Sequence, residues 1–159
     1  MKNKILKMVI VIIILLIIID QISKFIVIKH FSDYTPNGAV GIQLTQNTGM
    51  AFGFNDGNTR NIVLSMIVII IIFNFMRTQK EIIDTKTYVA ISIILSGGFS
   101  NLIDRIFRGG IVDFIKIYKF PIFNLADTFI FIGWALIIIF LIKYTRKKET
   151  KVEDDAGQN

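Results

Sequence analysis

Four apolar runs divide the chain: Met8 to Ile19, continuing weakly to Ile28; Ile62 to Phe75; Val89 to Ile103; and Phe129 to Ile142. They predict four transmembrane helices over about 6–28, 61–77, 87–105 and 126–144. Each apolar core is short. The stretch Met8 to Ile19 would rise only about 18 Å as a helix, against a hydrocarbon thickness of roughly 30 Å. To span, the first helix must run on through Asp20, Ser23 and Lys24, which places these residues in the outer part of the membrane or at its surface. The same requirement draws Asn101 to Arg105 into the end of the third helix. A cleavable signal peptide is the alternative reading of the first run, but no small-residue cleavage pattern follows it.

The connection from Lys29 to Asn61 is too long for a turn. Within it Val40, Ile42 and Leu44 alternate with Gly41, Gln43 and Thr45, the period of a half-buried strand. Asn47-Thr48-Gly49 supplies a turn, after which Ala51 to Phe54 can return as a second strand. A small sheet or hairpin over about 34–58, lying on the membrane surface, is expected. Residues 146–159 change from basic to acidic and read as a solvated, disordered cytoplasmic tail. With no Pro, Gly or Ser-rich linker and no internal repeat, residues 1–145 read as a single four-helix domain. The fold class is an all-α membrane protein with a small extracytoplasmic β element.

Composition agrees with this. Hydrophobic residues make up 53% of the chain and its mean hydropathy is +0.61, far above what a soluble core of this size requires. The absence of cysteine excludes disulfides, thiolate nucleophiles and cysteine-bound zinc. The single histidine, His30, reads as interfacial, and a His-rich metal site is impossible. The net charge of +6 could indicate nucleic acid, but its distribution favours a membrane topology instead. Lys2, Lys4 and Lys7 precede the first span, Arg77, Lys80 and Lys86 follow the second, and Lys143, Arg146, Lys147, Lys148 and Lys151 follow the fourth. Basic flanks mark the cytoplasmic side. Both termini are therefore expected inside, and the C-terminal ends of helices one and three share the outer face with the N-terminal ends of helices two and four.

That face collects nearly all the polar residues able to do chemistry. Asp20 and Lys24, at i and i+4, read as an ion pair, either a structural pair with the lysine snorkelling outward or a support for a site floor. Gly97-Gly98 reads as a close helix contact, with docking of a substrate helix as the sharper alternative. Asn101, Asp104 and Arg105 share one face. Asp104 adjoins Arg105 and has Arg108 nearby, and a carboxylate held by arginine becomes a fixed anion, so it reads as structural.

Asn124 and Asp127 flank the start of the fourth helix, where either alone would read as an N-cap. Asp113 changes that reading, because the topology brings it to the same face among apolar neighbours. A carboxylate beside a bilayer is costly unless it is paired or working. Two in a partly desolvated site tend to share a proton, and one is then a base and the other an acid. An aspartic hydrolase needs this arrangement: the ionised member deprotonates a water while the protonated member donates to the scissile carbonyl. No metal, cofactor or nucleophilic side chain is required. A small proton-coupled transporter is the competing reading, although transporter sites usually lie near the midplane. A presenilin-like intramembrane protease is a further one, against which counts the lack of a GxGD phrase.

Five phrases then match a family. DQISK at 20–24, NTGMAFG at 47–53, GGFSNLIDR at 97–105, RGGIVDF at 108–114 and PIFNLAD at 121–127 resemble the ordered motif set of the lipoprotein signal peptidases, over about residues 15–135. The resemblance implies a four-helix aspartyl endopeptidase of the bacterial inner membrane, with its site at the outer leaflet. It also implies a substrate, a prolipoprotein carrying diacylglycerol on its cysteine and cut just before that residue. Carried over by motif, Asp113 and Asp127 are the catalytic pair. Asn101, Arg105 and Asn124 position site and substrate, Gly97 belongs to the same supporting set, Asn47 lies in the surface sheet, and Asp20 with Lys24 supports the floor. The family often has a basic residue before the asparagine of the second motif, whereas this chain has Gln46. One chain holds every catalytic part, so a monomer in contact with membrane lipid is expected, with no cofactor and no nucleic acid.

Overall fold

The computed structural model describes residues 2–32, 38–49, 58–79 and 83–156. Four helices, α1 (Lys2–Phe31), α2 (Asn58–Thr78), α3 (Thr85–Arg108) and α4 (Leu125–Ala156), are joined by two strands, β1 (Val40–Asn47) and β2 (Ile111–Ile117), which pack against α1 and α3. All four helices contain a segment long and apolar enough to cross a membrane. They divide into a centre and a shell. In the most apolar window of α3 61% of residues are buried, against 11–17% in the other three, and α3 packs on each of its neighbours. The shell helices turn Ile14, Leu15, Ile18, Val68, Ile70, Ile71, Ile138 and Leu141 outward. An apolar exterior is what a lipid solvent requires.

The centre admits small and polar side chains instead. Ser92, Ser96 and Ser100, spaced by four, are wholly buried along α3, and Ser92 and Ser96 return their hydroxyls to carbonyls of their own helix. Gly97 is where α4 comes closest: a Cβ there would stand 2.3 Å from the Ala126 carbonyl oxygen and 2.7 Å from Ile130. Of the glycine pair in the third motif, Gly97 thus serves close helix packing, while a Cβ at Gly98 would meet only Ile69, at 3.6 Å. Asp84 opens α3 by accepting from the Thr87 amide at 2.8 Å, and hydrogen bonding from the Thr87 side chain and then its amide holds the Asp84 carboxyl below the usual aspartate range. Gly109, at φ 76°, closes α3 in the left-handed conformation that a Cβ would disfavour. The chain then leaves at once into β2.

β1 and β2 pair antiparallel, from Val40 opposite Ile117 to Asn47 opposite Ile111. The strand expected at 40–45 is present; the hairpin return expected at Ala51 to Phe54 lies outside the described residues. The partner comes from the stretch between helices three and four, read from sequence as a polar connection. Ile111-Val112-Asp113-Phe114 is buried at every position, so it shows no alternation to identify it. Nor does β1 keep one dry face. Gln43 and Leu44 stand opposite Phe114 in a bulge between Ile42 and Thr45, and the bulge shifts the alternation.

The helices are longer than their apolar cores predicted. α4 continues to Ala156, through the stretch expected to be a disordered tail. Residues 146–156 contain no glycine or proline and are rich in Lys and Glu, both good helix formers, so nothing in the composition stops the helix before Gly157.

Candidate active site

The site is assembled at one end of the bundle. Strand β2 carries Asp113 there, and a turn at Tyr118 to Phe120, with Tyr118 at φ 44°, reverses the chain. Phe123 then pairs with Ile115, its carbonyl accepting from the Phe114 and Ile115 amides at 3.0 and 2.7 Å. This short return places Asn124 beside Asp113. Asn124 next begins α4 with a reciprocal cap: its Oδ1 accepts from the Asp127 amide at 2.9 Å, while Asp127 Oδ2 accepts from the Asn124 amide at 3.2 Å. Asp127, one of the two aspartates singled out from the sequence, is thus also part of the helix cap.

Two asparagines join the two aspartates. Asn124 Nδ2 donates to Asp113 Oδ1 at 2.7 Å and to Asn101 Oδ1 at 3.2 Å, and Asn101 Nδ2 donates to Asp127 Oδ1 at 2.8 Å. Asn47, at the end of β1, donates to Asp113 Oδ2 at 3.1 Å. Both oxygens of each carboxylate are thus held by neutral N–H donors. Asp113 is 3% exposed. Burial, reinforced by the charge of Asp127, pushes its pKa up to about 6 against the opposing bonds from Asn47 and Asn124. A carboxyl so placed changes protonation near neutral pH.

Beneath the pair lies a cluster held by charge. Lys24, wholly buried, places its ammonium 2.7 Å from Asp20, 2.6 Å from Asp104 and 3.2 Å from Asn101 Oδ1, which accounts for all three of its donors. Asp20 also accepts from Ser100 Oγ at 2.6 Å and from the Ala126 amide at 2.9 Å, so α1 caps the first turn of α4. Asp104 takes Gln21 Nε2 at 3.0 Å, the Val112 amide at 3.2 Å and the guanidinium of Arg108.

The expected pair of Asp20 and Lys24 is present, but Lys24 turns inward rather than snorkelling. Asp104 is held by cations as anticipated, though by Lys24 and Arg108 and not by adjacent Arg105. Neighbours at i and i+1 on a helix point apart, whereas i and i+4 meet.

Arg105 lies within electrostatic reach of Asp113 and Asp127, but its hydrogen bond goes to the Gly49 carbonyl at 3.3 Å. Gln46 donates to the Arg108 carbonyl at 2.6 Å and ties β1 to the end of α3.

An apolar groove of about 290 Å³ runs between α2, α3 and α4 toward Asn101 and Arg105, with Leu64, Val68, Ile130 and Trp134 among its walls. A separate open cleft reaches Asp113 from the sheet side, past Thr45, Asn47 and Ile122. Sequence reasoning overlooked three polar residues of this region. Gln21 lies within the first motif and Asn61 closes the connection from Lys29, but neither they nor Asn58 receive a role from the sequence. The spacing of Asn58 and Asn61 at i and i+3 in the first turn of α2 was the available signal.

Comparison with known proteins agrees with this architecture. Residues 12–143 match the family described as signal peptidase (SPase) II. Lipoprotein signal peptidases of Staphylococcus aureus, strains JH9 and Newman, are each 35% identical over 150 residues, covering 84% of this chain and 87% of theirs. Two bacterial membrane enzyme structures solved by the in meso method are also similar. The first, at 2.3 Å resolution, has a TM-score of 0.74 and 34% identity over 89% of this chain and 92% of its own. The second, at 1.9 Å resolution, has a TM-score of 0.72 and 33% identity over 86% and 94%. A match across nearly the whole four-helix unit, together with relatives at this identity, leaves one assignment: the chain belongs to the signal peptidase II family of membrane peptidases.

Proposed function

We propose that this protein is an aspartyl endopeptidase that removes the signal peptide from diacylglyceryl-modified bacterial prolipoproteins, cutting just before the lipidated cysteine. The observation that carries the reading is the pair of carboxylates, Asp113 and Asp127, joined through Asn124 and Asn101, the last of which lines an apolar groove. In the reaction, the ionised carboxylate takes a proton from water as the water oxygen bonds to the scissile carbonyl carbon. The protonated carboxylate gives its proton to the carbonyl oxygen. Collapse of the resulting diol breaks the C–N bond, and the proton taken from water passes to the departing amine. The pair titrates as a unit and needs one proton between its members.

The remaining residues hold this pair in place. Asn101 and Asn124 orient both carboxylates, Asn47 fixes Asp113 from the sheet, Asp20 and Lys24 support the start of α4, and Arg105 positions substrate. Gly97 lets α4, and with it Asp127, approach α3. The precursor's acyl chains stay in the bilayer and act as a tether, which raises effective concentration without many polar contacts. Apolar parts of the substrate enter the groove while the peptide bond reaches the carboxylates. The enzyme works as a monomer, with both termini cytoplasmic and the site at the extracytoplasmic face of the cytoplasmic membrane. Carboxylates gathered at one end of the bundle suit this better than a transporter, which would hold them near the midplane.

The test uses purified protein on a synthetic precursor with and without the diacylglyceryl group. Wild type should cut only the lipidated form. Asp113→Asn and Asp127→Asn should each lose at least about a thousandfold in turnover, as removal of a general acid or base does, while remaining folded. Full turnover in both variants would rule out the aspartyl mechanism.

A further inference from the structure

Three buried side-chain polar atoms have no hydrogen-bond partner among the described residues: Asn58 Oδ1, Asn61 Oδ1 and Arg105 Nε. An unpaired buried polar group is costly, and native folds retain few of them. These three are not scattered. Asn58 Nδ2 donates to the Arg105 carbonyl at 2.8 Å, Asn61 Nδ2 to the Thr48 carbonyl at 3.1 Å, and Arg105 Nη2 to the Gly49 carbonyl at 3.3 Å. All belong to the corner where the first turn of α2 meets the end of α3 and the chain leaving β1. A carbonyl can only accept, so the Thr48 contact fixes the Asn61 amide with its oxygen turned away. Asn61 is 2% exposed and Arg105 8%, and both line the apolar groove beside Asn101, the residue bonded to Asp127.

The unmatched groups are one donor and two acceptors. A phosphate headgroup could satisfy the arginine but has no proton for an amide oxygen. A peptide backbone offers one N–H and one C=O per residue, which suits both kinds. On the peptidase reading above, we infer that Asn61 is a substrate-positioning residue whose Oδ1 accepts a backbone N–H of the precursor close to the scissile bond, while Arg105 Nε donates to a backbone carbonyl of the same segment. Asn58 Oδ1, in the same corner, offers a second acceptor. The corner thus holds the main chain in register without reading side chains, a property useful to an enzyme that processes many precursors.

Lipidated precursor peptides in which single amides near the scissile bond are replaced by esters, removing one N–H at a time, test this. On wild-type protein one such ester should raise KM about tenfold with kcat within twofold, the size of a lost buried hydrogen bond. Asn61→Leu should raise KM for the all-amide peptide by a similar factor and become indifferent to that ester. Binding of the same peptides to Asp113→Asn protein gives the affinities directly, without turnover.

Should Asn61→Leu fail to fold, the ester series on wild type decides alone, because an absence of any ester-sensitive position overturns the inference. An unchanged KM in folded Asn61→Leu, or an ester penalty that persists in it, also overturns it while leaving the peptidase reading intact. A wild-type protein that cuts no lipidated precursor would remove both.

Discussion

Asp104 and Asp113 are both buried aspartates at the same end of the bundle, yet they keep opposite company. Asp104 lies against Lys24 and Arg108, two cations at bonding distance, and accepts from Gln21 and the Val112 amide besides. Asp113 accepts only from the neutral amides of Asn47 and Asn124, and the charge that acts on it most strongly is another carboxylate, Asp127, ahead of the opposing cation Lys24. The first carboxylate is bonded by cations, whereas burial and a like charge push the pKa of the second up to about 6. Burial alone therefore does not separate the two aspartates. The sign of the surrounding charge does.

The contrast can be broken most forcefully at Lys24, which neutralises the lower cluster. Lys24→Met leaves Asp20 and Asp104 buried without their shared cation and should destabilise the protein by about 5 kcal/mol, the upper range for breaking a buried ion pair. Thermal unfolding in detergent, followed through Trp134 fluorescence, measures it. A change below about 1 kcal/mol would mean that Lys24 contributes little to the fold.

Asp104→Asn removes one carboxylate partner from each of two cations and should cost about 3 kcal/mol. The protein that remains folded should still cleave the precursor. If Asp104→Asn were stable and inactive beside an active Asp113→Asn, the roles assigned to the two aspartates would be exchanged.

The smallest effect has the opposite sign. Asp113 has a folded pKa raised to about 6, so its ionisation opposes folding. The unfolded chain ionises near the ordinary aspartate value, and stability attributable to this group is greatest at low pH and declines between about pH 4 and 6. Asp113→Asn should therefore be more stable than wild type above pH 6, by roughly 1 kcal/mol after loss of some of its hydrogen bonds, and the gain should vanish below pH 4. A gain independent of pH would assign it to packing rather than to the carboxylate's charge.

Much of the arrangement is legible along the chain because it is local. Long apolar runs announce spans, Asp20 and Lys24 meet because four residues make a helical turn, and Asn124 with Asp127 forms a cap over three residues. β2 was missed for a matching reason. Its burial comes from elements distant in sequence, so its own pattern carries no period. The inward turn of Lys24 was missed too, since a lysine near a helix end reads as reaching for water until Asp104, eighty residues away, is placed beneath it. Arg105 and Arg108 are equally basic neighbours of Asp104 in sequence, and only the helix geometry selects Arg108 as its partner.

What the sequence determined by itself is the four-span frame, the gathering of polar motifs at one end and the choice of Asp113 and Asp127 as the suspicious pair. Hydrophobic length and helical periodicity are short-range properties, written into each segment before it meets another. The tertiary structure decided which strand β1 pairs with, which carboxylate receives the cations, and that Asn101 and Asn124 link the two aspartates. Those outcomes depend on desolvation and on charge brought from remote segments, and neither exists until the helices have packed.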